Sequence, residues 1–123
     1  MKIILFIGLG SFIGGVCRHL VNQFFLLKVN PDFPYSTLLV NLMGSFVIGL
    51  VYGMQLKFNH SLEWHLFLTT GFLGGFTTFS AFSYESMMML RNGSNPQAIL
   101  YILGSVFIGI LLCFAGIQFT KVL

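Results

Sequence analysis

Four apolar stretches, at roughly 3–27, 36–56, 64–91 and 97–119, take up almost the whole of this 123-residue chain, with only short polar breaks between them. A helix that crosses a bilayer needs about 20 mostly apolar residues, and each stretch meets that length. With 56% hydrophobic and 7% charged residues and a mean hydropathy of +0.90, the chain stands well outside the half-apolar, quarter-charged balance of soluble domains. The expected fold is an all-α integral membrane protein, a single four-span domain covering residues 1–123, because no loop is long enough to fold separately.

The breaks contain residues that stop helices. Asn30, Pro31, Asp32 and Pro34 lie between the first two stretches, Lys57 to Ser61 between the second and third, and Asn92-Gly93-Ser94-Asn95-Pro96 before the last. Proline lacks the N–H a helix needs, and these dipeptides favour turns. Lys2 before an apolar run resembles the start of a signal peptide, and Cys17 after Gly14-Gly15-Val16 resembles a lipoprotein cleavage site. Scattered glycines, the valine before the cysteine and the lack of a soluble remainder oppose both readings. The first span is expected to stay.

Cys17 and Cys113 lie far apart and His19, His60 and His65 are scattered, so neither set has the spacing of a metal site, and no transition metal is expected. The net charge of +3 comes from six basic and three acidic residues with no basic cluster, which argues against a nucleic-acid partner. With four spans, Lys2, Lys57 and Lys121 fall on one side of the membrane and Lys28 and Arg91 on the other. That is almost no positive-inside bias, and a chain able to insert both ways could form an antiparallel dimer.

Gly10 and Gly14, and Gly49 and Gly53, have the GxxxG spacing that lets helix backbones approach where no hydrophobic force joins them. Arg18 sits well inside the first span. A buried cation of this kind either faces a wet cavity, where its positive potential favours an anion, or snorkels toward the span end. Glu85, toward the end of the third span, faces a vestibule or pairs with a base.

The third span carries the run Gly71-Phe72-Leu73-Gly74-Gly75-Phe76-Thr77-Thr78-Phe79-Ser80-Ala81-Phe82-Ser83. Its glycines weaken a helix, and Thr77, Thr78, Ser80 and Ser83 offer hydroxyls to a freed backbone or a wet path. Irregular backbone at this depth is tolerated only inside protein or against a cavity. A break would release carbonyls able to hold a hard cation. Phe76, Phe79 and Phe82 share a drifting face. Such a stripe is ordinarily core or lipid-facing, but the positive edge of a ring can also meet a partly dehydrated anion. Asn41, Tyr101 and Ser105 are candidate donors for a small, strongly hydrated anion.

Gly14-Gly15-Val16-Cys17-Arg18, Val40-Asn41-Leu42-Met43-Gly44 and the run from Gly71 to Glu85 resemble the CrcB/Fluc fluoride channels, in length, number of spans and order of motifs. The resemblance implies an antiparallel dual-topology dimer with a broken third helix, two fluoride pores and a central sodium ion. It places the backbone carbonyls of Gly74 and Thr77 on the sodium, two from each subunit. Phe79 and Phe82 become the rings whose edges face fluoride, and Asn41 the pore asparagine. Ser80, Tyr101 and Ser105 become parts of a polar track, Arg18 the basic residue near the vestibule and Glu85 a glutamate near the pore end. Two positions depart from the pattern: Ala81 where relatives often carry threonine, and Gly109 where they often carry serine or threonine. Each removes a hydroxyl, which water or a different partner subunit could replace, so a heterodimer with a paralogue stands beside the homodimer.

The function implied is a passive, fluoride-selective channel in a prokaryotic plasma membrane, exporting cytoplasmic fluoride and conferring fluoride resistance. No nucleophile, phosphate loop or redox centre suggests an enzyme. A small four-span multidrug exporter is the alternative, although such exporters use a first-span glutamate where this chain has Arg18. A non-transporting assembly protein held by its GxxxG faces is another.

Overall fold

The computed structural model describes residues 1–28, 32–58 and 60–122; Asn30, Pro31 and Asn59, expected in the breaks, lie outside them. The described residues form helices and turns, without strands. Helix α1 spans Lys2–Lys28 and α2 Tyr35–Phe58. The third apolar stretch is assembled from α3 (Leu62–Leu66), a π-wound stretch (Phe67–Leu73), α4 (Gly74–Phe76) and α5 (Phe79–Arg91). Helix α6 runs Asn95–Val122. Four segments, Lys2–Leu27, Tyr35–Phe58, Leu62–Arg91 and Asn95–Val122, are long and apolar enough to cross a membrane. They overrun the apolar stretches by a few residues because backbone hydrogen bonding continues past the point where side chains turn polar.

The helix ends follow local chemistry. Pro34 precedes α2 and accepts the Leu38 N–H at 3.1 Å. Ser61 caps α3, accepting from the Trp64 N–H at 3.5 Å. Helix α5 closes in a Schellman motif: Gly93, at φ 79°, gives its N–H to Leu90 and Ser94 gives its own to Met89.

Glycines set the packing. Gly10 and Gly14 on α1 lie against the backbone of the π-wound stretch, at Phe67 and Phe72 respectively. Gly49 on α2 abuts the Cys113 carbonyl and Gly53 the Thr120 side chain, both on α6. In each pair the contacts advance in the same chain direction, so the first and third spans run parallel, as do the second and fourth. The α2–α6 contact is the most extensive in the molecule, followed by α1 with the π-wound stretch. Both GxxxG pairs are thus used inside the chain. Buried apolar side chains are few: Met89, Ala98 and Tyr101 form the core cluster, with Phe33, Leu38 and Phe82 packed against it. Most other large apolar side chains point outward, as expected when the surroundings are lipid or another chain.

Gly49→Ala would push a Cβ into the Cys113 backbone, which cannot rotate away as a side chain can. We expect it to cost about 1–3 kcal/mol, the range for overpacking, and to lower the unfolding temperature in detergent. Gly8 has nothing within 4 Å of its would-be Cβ, and Gly8→Ala should leave that temperature unchanged or raised.

Candidate functional site

The site begins where helical hydrogen bonding stops. Thr77 (φ −84°, ψ 159°) and Thr78 (φ −151°, ψ 118°) are extended, midway along the third span. In an uninterrupted helix the Thr78 N–H would go to the Gly74 carbonyl. It goes instead to Asn41 Oδ1 at 2.8 Å, while Asn41 Nδ2 donates back to the Thr78 carbonyl at 3.1 Å. One side chain on α2 therefore satisfies both backbone groups of Thr78, in surroundings where an unpaired polar group is costly. The Thr78 hydroxyl then caps α5 by accepting from the Ala81 N–H at 3.3 Å. Gly44, one turn beyond Asn41, leaves room for the Thr77 side chain.

The interruption opens onto a cleft of about 390 Å³. It gathers six of the residues expected from sequence: Asn41, Gly74, Thr77, Phe79, Phe82 and Ser105. The Phe79 and Phe82 rings lie 5.7 Å apart with a 43° tilt; Phe79 is 78% exposed, so one side of the cleft is open on the single chain. Ser105 Oγ is buried without a hydrogen-bond partner. Gly74 is exposed, and its carbonyl has lost its helical donor.

The other four expected residues surround the cleft without lining it. Arg18 reaches the interruption from α1, Nη1 donating to the Thr77 carbonyl at 3.3 Å. Ser80 Oγ is 3.3 Å from Thr78 Oγ1. Glu85 lines a second, larger cavity of about 560 Å³ with polar walls that include Asn22, Ser36, Asn92 and Gln97. Its carboxylate accepts from Thr37 Oγ1 at 2.7 Å and from the Tyr101 hydroxyl at 2.8 Å; these partners are hydroxyls and not a base. Tyr101, 1% exposed, also packs on Phe82 at 5.2 Å between ring centroids. It joins the residue that faces the larger cavity to one that faces the cleft. Ala81 lines neither cavity.

Sequence reasoning did not single out Thr37 or Ser45. Both were accessible: Thr37, Asn41 and Ser45 recur every four residues along the first half of a mostly apolar helix, which places them on one face. Thr78 was noted only as a hydroxyl, and its two hydrogen bonds with Asn41 depend on a helix 37 positions away.

The sequence profile of the family described as CrcB-like protein, Camphor Resistance (CrcB), matches residues 5–117. The chain is 44% identical to a fluoride-specific ion channel FluC of Thermus thermophilus, over 91% of this chain and 88% of that protein. It is 42% identical to the protein of the same name from Rhizobium meliloti, over 98% of each. With that of Chlorobium phaeobacteroides the identity is 45%, over 96% of this chain and 92% of the relative.

Asn41→Ala would strand both backbone groups of Thr78. Losing two hydrogen bonds with their acceptor and donor left partly buried should cost about 2–4 kcal/mol, and hydrogen exchange at the Thr78 amide should speed up by more than about tenfold, the ratio that ~1.4 kcal/mol gives. Unchanged exchange there would show that the clamp is dispensable.

Proposed function

The chain belongs to the CrcB family, and from that membership together with the cleft we infer that it is a fluoride-selective passive ion channel. It exports cytoplasmic fluoride down its gradient and confers fluoride resistance; it is not an enzyme. The observation that carries this reading is the mid-span cleft, where two phenylalanine rings and hydroxyl or amide donors meet beside an interrupted helix.

Fluoride is small and strongly hydrated, so a pore must replace its water with donors. Asn41 uses one of its two amide hydrogens on Thr78 and keeps the other; Ser105 has a hydroxyl with no competing partner. Phe79 and Phe82 add the electropositive edges of their rings. Thr37 and Tyr101 are donors whose present acceptor is Glu85, and an arriving anion competes for them between the larger cavity and the cleft. Ser80 extends the hydroxyls of the track from the exposed side. Arg18, held against Thr77, contributes a fixed positive charge near the path. A cation exporter is disfavoured, since the first span presents this arginine and no acid.

The pore is completed by a second copy in our reading, as an antiparallel homodimer or as a heterodimer with a paralogue. Support comes from the face of the third span that bears Thr70, Gly74, Ser80 and Ser83, all exposed on the single chain, which lipid would cover poorly. Gly74 and Thr77 suit a sodium ion at that junction. The Gly74 carbonyl is released from its helix, and that of Thr77 has a second lone pair beside the one Arg18 uses. Two carbonyls from each chain would give the ion the oxygen ligands it prefers, and a bound ion would supply fixed charge tying the copies together. The location is the plasma membrane of a prokaryote.

Purified protein in liposomes should release fluoride and retain chloride, and Phe79→Ile or Phe82→Ile should slow fluoride release. Chloride leaving as fast as fluoride would sink the reading. Light scattering in detergent, corrected for the micelle, should give twice the 13.7 kDa chain mass; a monomer that still conducts would remove the dimer from the account.

A further inference from the structure

We propose that Ser45 is an ion-contacting hydroxyl of the pore, supplying from α2 a donor at the level where α6 has only Gly109. The proposal rests on the fluoride-channel reading. Helix α2 carries Thr37, Asn41 and Ser45 at four-residue intervals, and α6 carries Tyr101, Ser105 and Gly109 at the same intervals. Because the helices run parallel and in close contact, the two stripes face one another level by level. At the first level Thr37 and Tyr101 share Glu85. At the second, Asn41 and Ser105 both line the cleft. At the third, a Cβ built on Gly109 would stand 3.4 Å from Ser45 Oγ. Only at that level does α6 lack a polar side chain, and there α2 presents a hydroxyl.

Ser45 lines the cleft together with Asn41 and Ser105. Its O–H donates to the Asn41 carbonyl at 2.8 Å, a bond of the kind serine makes to the preceding turn of its own helix. That carbonyl is an acceptor for the helix ladder in any case, so turning the hydroxyl toward an anion strands no backbone group. Ser105 Oγ, buried and unpartnered, has no bond to break. The third level thereby continues a track of donors past Ser105: one hydroxyl already free, the next freed by rotation about a single bond. The missing side chain at Gly109 interrupts the stripe on α6 but not the track, because the facing helix carries the group. The 3.4 Å separation is at the near edge of van der Waals contact, so a serine at the buried position 109 would set its Cβ beside Ser45, which lines the cleft.

The test is fluoride efflux from liposomes containing the full-length assembly. Ser45→Ala should slow efflux by about tenfold or more, the effect of losing one hydrogen bond to a charged species, with the elution volume of the assembly unchanged. Adding Gly109→Ser to Ser45→Ala should restore most of the rate, which a role confined to packing or to the Asn41 carbonyl would not do. Efflux at the wild-type rate in Ser45→Ala overturns the proposal, and so does slow efflux that Gly109→Ser leaves unrestored. Should the alanine variant not assemble, Ser45→Cys keeps the side-chain shape with a somewhat larger atom and weakens the donor: slowed efflux that Gly109→Ser restores supports the proposal, and the wild-type rate overturns it. Wild-type protein that releases no fluoride is a separate result, and it removes the channel reading itself.

Discussion

The paired hydrogen bonds between the Asn41 side chain and the backbone of Thr78 hold the rest of the site in place. An interruption in a span is tolerated only if its freed N–H and C=O find partners, because lipid offers none. Asn41 answers for both at once. From this follow the release of the Gly74 carbonyl, the placement of Thr78 as the cap of α5, and the restart of the helix at Phe79, which sets the direction of the two phenylalanine rings. The π-wound stretch just before the interruption, packed on Gly10 and Gly14, winds the chain more widely where the third span leans on the first. Local π winding of this sort is frequent at functional sites.

Two of the cavities, those holding Glu85 and the interruption, are joined by side chains. The larger mixes polar and apolar walls and includes Glu85; the smaller is walled by Phe79, Phe82 and the hydroxyls of α2 and α6. Tyr101 lies between them, bonded to Glu85 and packed on Phe82. The arrangement works because α2 and α6 are parallel and in register. Each turn brings one residue from each helix to the same depth, so that Thr37 and Tyr101, Asn41 and Ser105, and Ser45 and Gly109 stand level with one another.

Much of this was legible in the amino-acid order. The spans could be read from the apolar stretches, since length and polarity alone decide what can cross a bilayer. The run from Gly71 to Glu85 marked the third span as irregular, because glycines next to hydroxyls have no reason to gather in a lipid-facing helix. Thr37 was passed over and Ser45 was read only as a small packing residue, although their spacing with Asn41 is regular. Single polar residues on an apolar helix are common, and their meaning depends on what faces them. Ala81 and Gly109 looked alike as missing hydroxyls, and neither lines either cavity, but Gly109 stands opposite Ser45, which does.

By itself the sequence determined a four-span α-helical chain, its membrane setting and the kinship that points to fluoride, because hydropathy and a long motif are properties of the order of residues. The tertiary structure decided which polar groups are already engaged. Asn41 is tied to Thr78, Arg18 to Thr77 and Tyr101 to Glu85, while Ser105 is buried without a partner. Each of those pairings joins two different spans, those of Arg18 and Asn41 across 59 and 37 positions of chain, and a hydrogen bond forms only when folding brings donor and acceptor within about 3 Å. No spacing along a single helix contains that information.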